Sequence, residues 1–246
     1  MLFFDERYQT FHAFSLAHLI PVLIIVILII LIFRFHTRLN ERKRLDRFLR
    51  YGAAFAMIGM EWIFYAWNLI GGNANLGLLP FGLCAISMYL TAITLLSDNE
   101  KLFKVVFPWA LAGSFLSLVV ADQGYVFPHF RYLHYFGNHG MFLVANIYLA
   151  IVKGYRFTYR DLLKSSLILL ILSVVMYFVN QMLGTNHMYL SELPEEVAFM
   201  FDWMGPRLWV YGFGFAIFML FHIVTLPFIR WSRSHQKPSP RIESSE

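Results

Sequence analysis

Apolar residues fall into seven runs separated by short polar segments: residues 13–33, 51–71, 77–97, 103–121, 130–152, 162–183 and 206–229. Each run is about 19–24 residues, the length a helix rising 1.5 Å per residue needs to cross a hydrocarbon core of about 30 Å. Backbone amides in lipid must find partners within their own segment, so the runs are read as helices. The alternating pattern of a membrane barrel is absent. The pattern predicts an all-α fold: a polytopic membrane bundle of seven transmembrane helices over residues 1–230. A polar tail, 231–246, is expected to be disordered and cytoplasmic. The longest connection, 184–205, contains LPEEVAFMFDWM, which suits a short helix lying on the membrane surface.

Composition supports the bilayer reading and removes the soluble one. Hydrophobic residues make up 59 % of the chain and charged residues 14 %, against about 25 % charged in an ordinary soluble domain. The net charge of +5 follows the membrane and gives no sign of nucleic acid. Seventeen of the twenty Lys and Arg residues fall on one side of the expected bundle, seven of them between Arg34 and Arg50. Arg7, Arg131 and Arg207 are left on the other side. The positive-inside rule then places the N-terminus outside the cytoplasm and the C-terminus inside, in a multi-pass protein of the cell membrane. Asp5 and Glu6 before the first run argue against a secretory signal peptide. Cys84 is the only cysteine, so no intrachain disulfide and no four-cysteine zinc site is expected.

Polar residues inside the runs are few and concentrated toward the outer half. Glu61 lies near the middle of the second run, and an intramembrane carboxyl is a functional candidate by default. On the fifth run Arg131, His134, Tyr135, Asn138, His139 and Asn146 share one helical arc. Glu61, Tyr65 and Asn68 share a face of the second, and Cys84, Ser87 and Thr91 share a face of the third. His18 and Asn180 lie toward the outer ends of the first and sixth. Polar stripes facing lipid are costly, so three such stripes are expected to meet in a polar cavity opening outward. Each residue also has a structural alternative: a protonated, hydrogen-bonded glutamate, a small buried cysteine, a satisfied core histidine. Cys84 stands out because Pro80 precedes it by four residues. A helix starting there exposes the thiol to free amides and the positive end of the dipole. His139 at similar depth is the base such a thiol needs.

The stretches FSLAHLI around His18, LPFGLCAIS around Cys84, RYLHYFGNHG ending at His139 and Gly140, and TNHMYL followed by MGPRLWVY carry a resemblance. In their order and spacing the chain resembles the YwaF-type bacterial integral membrane proteins and their eukaryotic relative, transmembrane protein 164, over about residues 11–229. The resemblance implies a phospholipid acyltransferase with Cys84 as nucleophile and His139 as its histidine. Phe81 and Gly82 depart from it, standing where that family often has a polar residue.

Three readings of function follow. In the first, Cys84 and His139 transfer an acyl group from a membrane lipid to another lipid, or to water in a lipid hydrolase, with Glu61, Asn138, His18, His134, Arg131, Ser87 and Asn180 lining or orienting the pocket. In the second, the cavity holds a ligand or a proton without catalysis, and Glu61 is the charged contact. In the third, the external loop is a contact surface for another membrane protein. Membrane lipids are the expected solvent and substrate, and no cofactor or metal is expected. The last run has no lysine for a retinal Schiff base. A reporter fused after Glu246 is expected to be active on the cytoplasmic side; activity confined to the outer side would overturn the seven-span assignment.

Overall fold

A computed structural model describes residues 4–193 and 195–234. Its long helices are α1 (Leu16–Glu41), α2 (Lys43–Ile70), α3 (Leu83–Ser97), α4 (Glu100–Val119), α5 (Phe130–Ile151), α6 (Tyr159–Leu183) and α7 (Gly205–Ser234). There is no strand among the described residues. The 184–205 connection carries a short helix, Glu195–Ala198, and 3-10 turns at His187–Tyr189 and Asp202–Met204.

Helix ends differ from the hydropathy reading where polar chemistry carries the helix on. The basic segment Arg34–Arg50 is not an open loop: α1 runs to Glu41, α2 starts at Lys43, and only Arg42 joins them. Arg, Lys, Leu and Glu are strong helix formers, so the helices continue beyond the apolar run. A capping box between Thr158 and Asp161 starts α6 three residues before the apolar run. Helix α7 continues to Ser234, so residues 231–234 of the expected tail are helical. The rest of that tail, 235–246, lies outside the described residues.

The third helix begins at residue 83, not 77. Asn75 accepts the amide of Gly77 and caps a 3-10 turn at Leu76–Leu78. The chain then runs through Pro80 to Gly82, whose extended backbone is the N-cap. The result is a 15-residue helix, about 22 Å long. Five helices, α1, α2, α4, α6 and α7, are long and apolar enough to cross a membrane. The others are α3, which is short, and α5, whose 22 residues are interrupted by Arg131, His134, Asn138, His139 and Asn146.

Helices α4 and α5 form the centre. Helix α5 packs against α1, α2, α3 and α4, while α6 and α7 pack on α4 and on each other. Glycines permit the close approaches of α5: a Cβ on Gly137 would lie 2.8 Å from Met60 of α2, and one on Gly140 2.7 Å from Ile25 of α1. Polar ties fix the register. The Tyr132 hydroxyl donates to the Ala17 carbonyl at 2.6 Å, and the Asn146 amide donates to Thr91 of α3 at 2.8 Å.

A charge cluster closes the bundle at the Arg50 end. Arg50 bonds Asp46 at 3.2 Å, Asp98 at 3.3 Å and the Leu95 carbonyl at 2.6 Å. Lys153 lies 3.5 Å from Asp46 and 3.4 Å from Asp98. Tyr148 donates to Asp46 at 2.9 Å and Tyr155 to Asp98 at 2.5 Å. Two acids and two bases thus join α2, the α3–α4 turn and the end of α5. Partial burial opposes ionisation of Asp98, but the Tyr155 hydroxyl, Arg50 and Lys153 outweigh it and hold the carboxyl below its ordinary value of 3.8. A carboxyl shifted down stabilises the fold above the ordinary carboxylate range, and the contribution is lost as pH falls through the lowered value. The thermal melting point in detergent is therefore expected to drop below about pH 4, and Asp98→Asn, which tolerates the left-handed backbone there, to flatten that drop. Arg50→Met is expected to cost about 3 kcal/mol in the same assay, because it leaves Asp46 buried beside fewer cations.

Candidate functional site

Glu61 is buried on α2 and faces α5. One of its oxygens, Oε2, accepts from His134 Nε2 at 2.8 Å and from Asn138 Nδ2 at 3.1 Å. These two residues are one turn apart on α5, so a single face grips the carboxylate. His134 Nδ1 lies 2.8 Å from Arg131 Nη1. A guanidinium only donates, so Nδ1 accepts and the proton sits on Nε2, where it is donated to Glu61. His134 is thus a neutral link between a cation and an anion. Phe64 of α2 stacks on the His134 ring at 4.6 Å and lies under the Arg131 guanidinium at 4.8 Å.

Cys84 is the second residue of α3. Its helix is capped by Gly82 with no side-chain hydrogen bond, which leaves the first-turn amides available to an anion. The sulfur lies 3.7 Å from the Ser117 hydroxyl of α4. It rests over Gly113, where an added Cβ would come within 3.3 Å. His139 donates its Nδ1 proton to the Tyr135 carbonyl at 2.8 Å. That leaves Nε2 as a lone pair with no hydrogen-bond partner among the described residues. The Tyr135 ring packs on His139 at 4.6 Å, and its hydroxyl donates to the Ser117 carbonyl at 2.9 Å. Ser117 therefore touches both neighbourhoods. No hydrogen bond joins Cys84 directly to His139.

These groups line one cavity of about 1550 Å³, above the ~300–1,000 Å³ of drug-sized sites. Glu61, Cys84, Arg131, His134, Asn138 and His139 all reach its wall. The opposite wall is made by α6 and α7, where Leu170, Phe178 and Tyr211 are more than half exposed. The wall is incomplete there, and its rim is apolar. Among the described residues no three His, Cys, Asp or Glu side chains converge as a metal site.

The sequence profile of the TMEM164 family matches residues 10–226. The chain belongs to the TMEM164 family. No curated protein and no solved structure matches the chain. The match takes in every long helix of this TMEM164-family protein except the last residues of α7.

Three residues expected at the pocket stand elsewhere in this TMEM164-family protein. His18 is buried between Phe11, Phe14 and Phe136. Its Nδ1 accepts from the Phe14 amide at 3.0 Å, so its Nε2 proton goes to the Leu118 carbonyl at 2.8 Å. It ties α1 to the end of α4 and is not part of the cavity wall. Ser87 is fully buried in α3, its hydroxyl without a partner, and also off the wall. Asn180 is buried at the end of α6, where it clamps the backbone of His187 at 2.9 Å on both sides. Conversely, Ser117, Gly113 and His187 reach or shape the site without having been singled out. Ser117 and Gly113 lie one turn apart on α4, a signal visible only once α4 is known to face Cys84.

The Glu61 network generates a direct test. Glu61→Leu is expected to leave His134 and Asn138 with buried unpaired donors and to cost about 2–4 kcal/mol. Glu61→Gln, which still offers an acceptor, is expected to cost less than half as much, read as melting of the purified protein in detergent.

Proposed function

We propose that this protein is a membrane-embedded acyl-transferring enzyme that uses Cys84 as nucleophile and His139 as general base on a lipid held in the α6–α7 cavity. The observation that carries the reading is the pairing of two unusual chemical positions on one wall. A thiol sits in the uncapped first turn of a helix, and an imidazole has its Nδ1 committed so that Nε2 is free to take a proton. An apolar rim open between α6 and α7 suits acyl chains entering from the bilayer.

In this reading the Cys84 thiol gives its proton to His139 Nε2 as sulfur attacks the ester carbonyl. The developing oxyanion is held by the free amides of α3. Collapse breaks the ester bond, His139 returns the proton to the leaving alkoxide, and an acyl-thioester remains. A hydroxyl of a second lipid then attacks the thioester by the reverse sequence and restores the thiol. Asn138 is committed through its amide N–H to Glu61, so with Glu61, His134 and Arg131 it acts as a rigid support for the α5 face. The seven helices are placed with the N-terminus extracytoplasmic and the C-terminus cytoplasmic, supported by the distribution of Lys and Arg.

A second reading, a non-catalytic lipid-binding or transport protein, is favoured by one observation: the thiol's hydrogen-bond partner is Ser117 and not His139. The two separate in mutagenesis. Cys84→Ala and His139→Ala are each expected to lower acyl exchange in defined liposomes by at least about 10³-fold, with abundance and melting unchanged. Cys84→Ser is expected to be nearly as impaired, because a hydroxyl is far harder to ionise. Full exchange by Cys84→Ala would remove the nucleophile and leave the binding reading.

A further inference from the structure

The 184–205 connection contributes Asn186, His187, Met188, Tyr189, Leu190 and Val197 to the cavity wall, and His187 is the buried one among them. His187 lines the wall and is 6 % exposed. Neither ring nitrogen has a hydrogen-bond partner among the described residues; Nε2 is fully enclosed, so Nδ1 is the nitrogen a ligand or a modifying reagent can reach. A buried imidazole without a partner is unusual, since buried polar groups are nearly always satisfied.

The ring is also deliberately mounted. Asn180, itself 1 % exposed, accepts the His187 amide through Oδ1 and donates to the His187 carbonyl through Nδ2, both at 2.9 Å. Thr185 adds a bond to the same Oδ1 at 3.0 Å. The imidazole meets the Phe81 ring edge-on at 5.4 Å, one residue before the N-cap of α3. His187 is thereby held beside the end of the cavity at which α3 presents Cys84. Asn138, on the α5 wall, has an Oδ1 that likewise lacks a partner.

We propose that His187 is a ligand-binding residue of this cavity, hydrogen-bonding a polar oxygen at the glycerol end of a lipid whose acyl chain lies between α6 and α7. This rests on the reading that the cavity receives a lipid, and it adds the residue that sets how deep the lipid sits. The loop end of the cavity offers a polar contact at His187, whereas the α6 and α7 walls offer mainly apolar ones. An amphipathic molecule matches that order, with its oxygen-rich end at His187 and its chain along Val174 and Phe178. His187 acts here by positioning the lipid, and the proton chemistry stays with His139.

The test uses the full-length protein in nanodiscs with a fluorescent monoacyl phosphatidylcholine as probe. His187→Leu is expected to weaken probe binding about tenfold, the worth of one good hydrogen bond in a water-poor site. His187→Gln, which keeps a donor and an acceptor, is expected to bind within about threefold of wild type. Without lipid, His187→Leu is expected to melt at or above the wild-type temperature, since an unpaired polar group has been removed. In the wild type, the probe is expected to slow diethylpyrocarbonate modification of His187, read by peptide mass spectrometry. Binding by His187→Leu equal to wild type, or modification of His187 unaffected by the probe, overturns the inference. Cys84→Ala separates the two readings: it is expected to bind the probe normally and transfer nothing. Probe binding that depends on His187 without acyl transfer in wild type sinks the enzyme reading alone. Transfer unaffected by His187→Leu sinks the positioning role alone, and a wild-type protein that binds no probe sinks both.

Discussion

The bundle is organised around one carboxylate. A lone ionised carboxyl in hydrocarbon is prohibitively costly, and in practice such a group is paired, hydrogen-bonded or neutralised. Here α5 supplies the match from a single face: the His134 and Asn138 donors meet Glu61 directly, and the Arg131 charge is relayed through a neutral imidazole. That solution dictates packing. Helices α2 and α5 must lie close enough for short hydrogen bonds, and the absent side chain of Gly137 makes room for Met60. With its polar face committed, α5 is stable only inside other helices, and α1 closes over it at Gly140. The low hydropathy of α5 and its central position have the same cause.

The cavity follows from two further constraints. Helix α3 loses its first turns to the Pro80–Gly82 segment, so Cys84 sits at a helix start within the bundle and not one turn into a longer helix. Helices α6 and α7 lean on α4 and on each other, which leaves their inner faces separated from α3 and α5. At the opposite end the Arg50, Asp46, Asp98 and Lys153 cluster pins α2, α3 and α5 together. Closure at one end and separation at the other leave a cavity lined by α3 and α5, by α6 and α7, and by the connecting loop.

Periodicity and hydropathy made the seven helices and the polar face of α5 legible, because both depend on local spacing. Arg131, His134, Asn138 and His139 share an arc in any helix, and they share a wall in the structure. The errors fall where spacing carries no information. Hydropathy marks where lipid ends, not where hydrogen bonding ends, so the helical stretches on either side of Arg42 read as loop. It also read through Pro80, although a residue without an amide proton followed by an extended Gly82 delays α3. His18 and Asn180 group with the pocket by depth and Ser87 by the face it shares with Cys84, but neither depth nor a shared face says which neighbour a side chain meets. His18 turned to α4, and Asn180 turned to its own following loop. His187 lies in that loop, where no period exists to give its direction.

The separation of Cys84 from His139 has a mechanical reading. The imidazole is the stiffer partner: its Nδ1 bond to the Tyr135 carbonyl lies within one helix, and Tyr135 packs on the ring. Rotating it would sacrifice that bond and the packing of the Tyr135 ring. The thiol is the softer one. Among the described residues its one hydrogen bond is a 3.7 Å contact with Ser117, and a thiol is a weak donor. Rotation about one bond frees it, and the bare surface of Gly113 beneath it presents no side chain to obstruct the change. Any approach of the two groups is therefore made by sulfur, at the cost of one weak bond. Catalytic contacts in unloaded sites are often long and tighten when substrate is bound. In the proposed acyl-transfer reading, a lipid ester between α3 and α5 would place its carbonyl oxygen on the first-turn amides of α3, and loss of the weak Ser117 contact would let the thiol turn toward His139 Nε2.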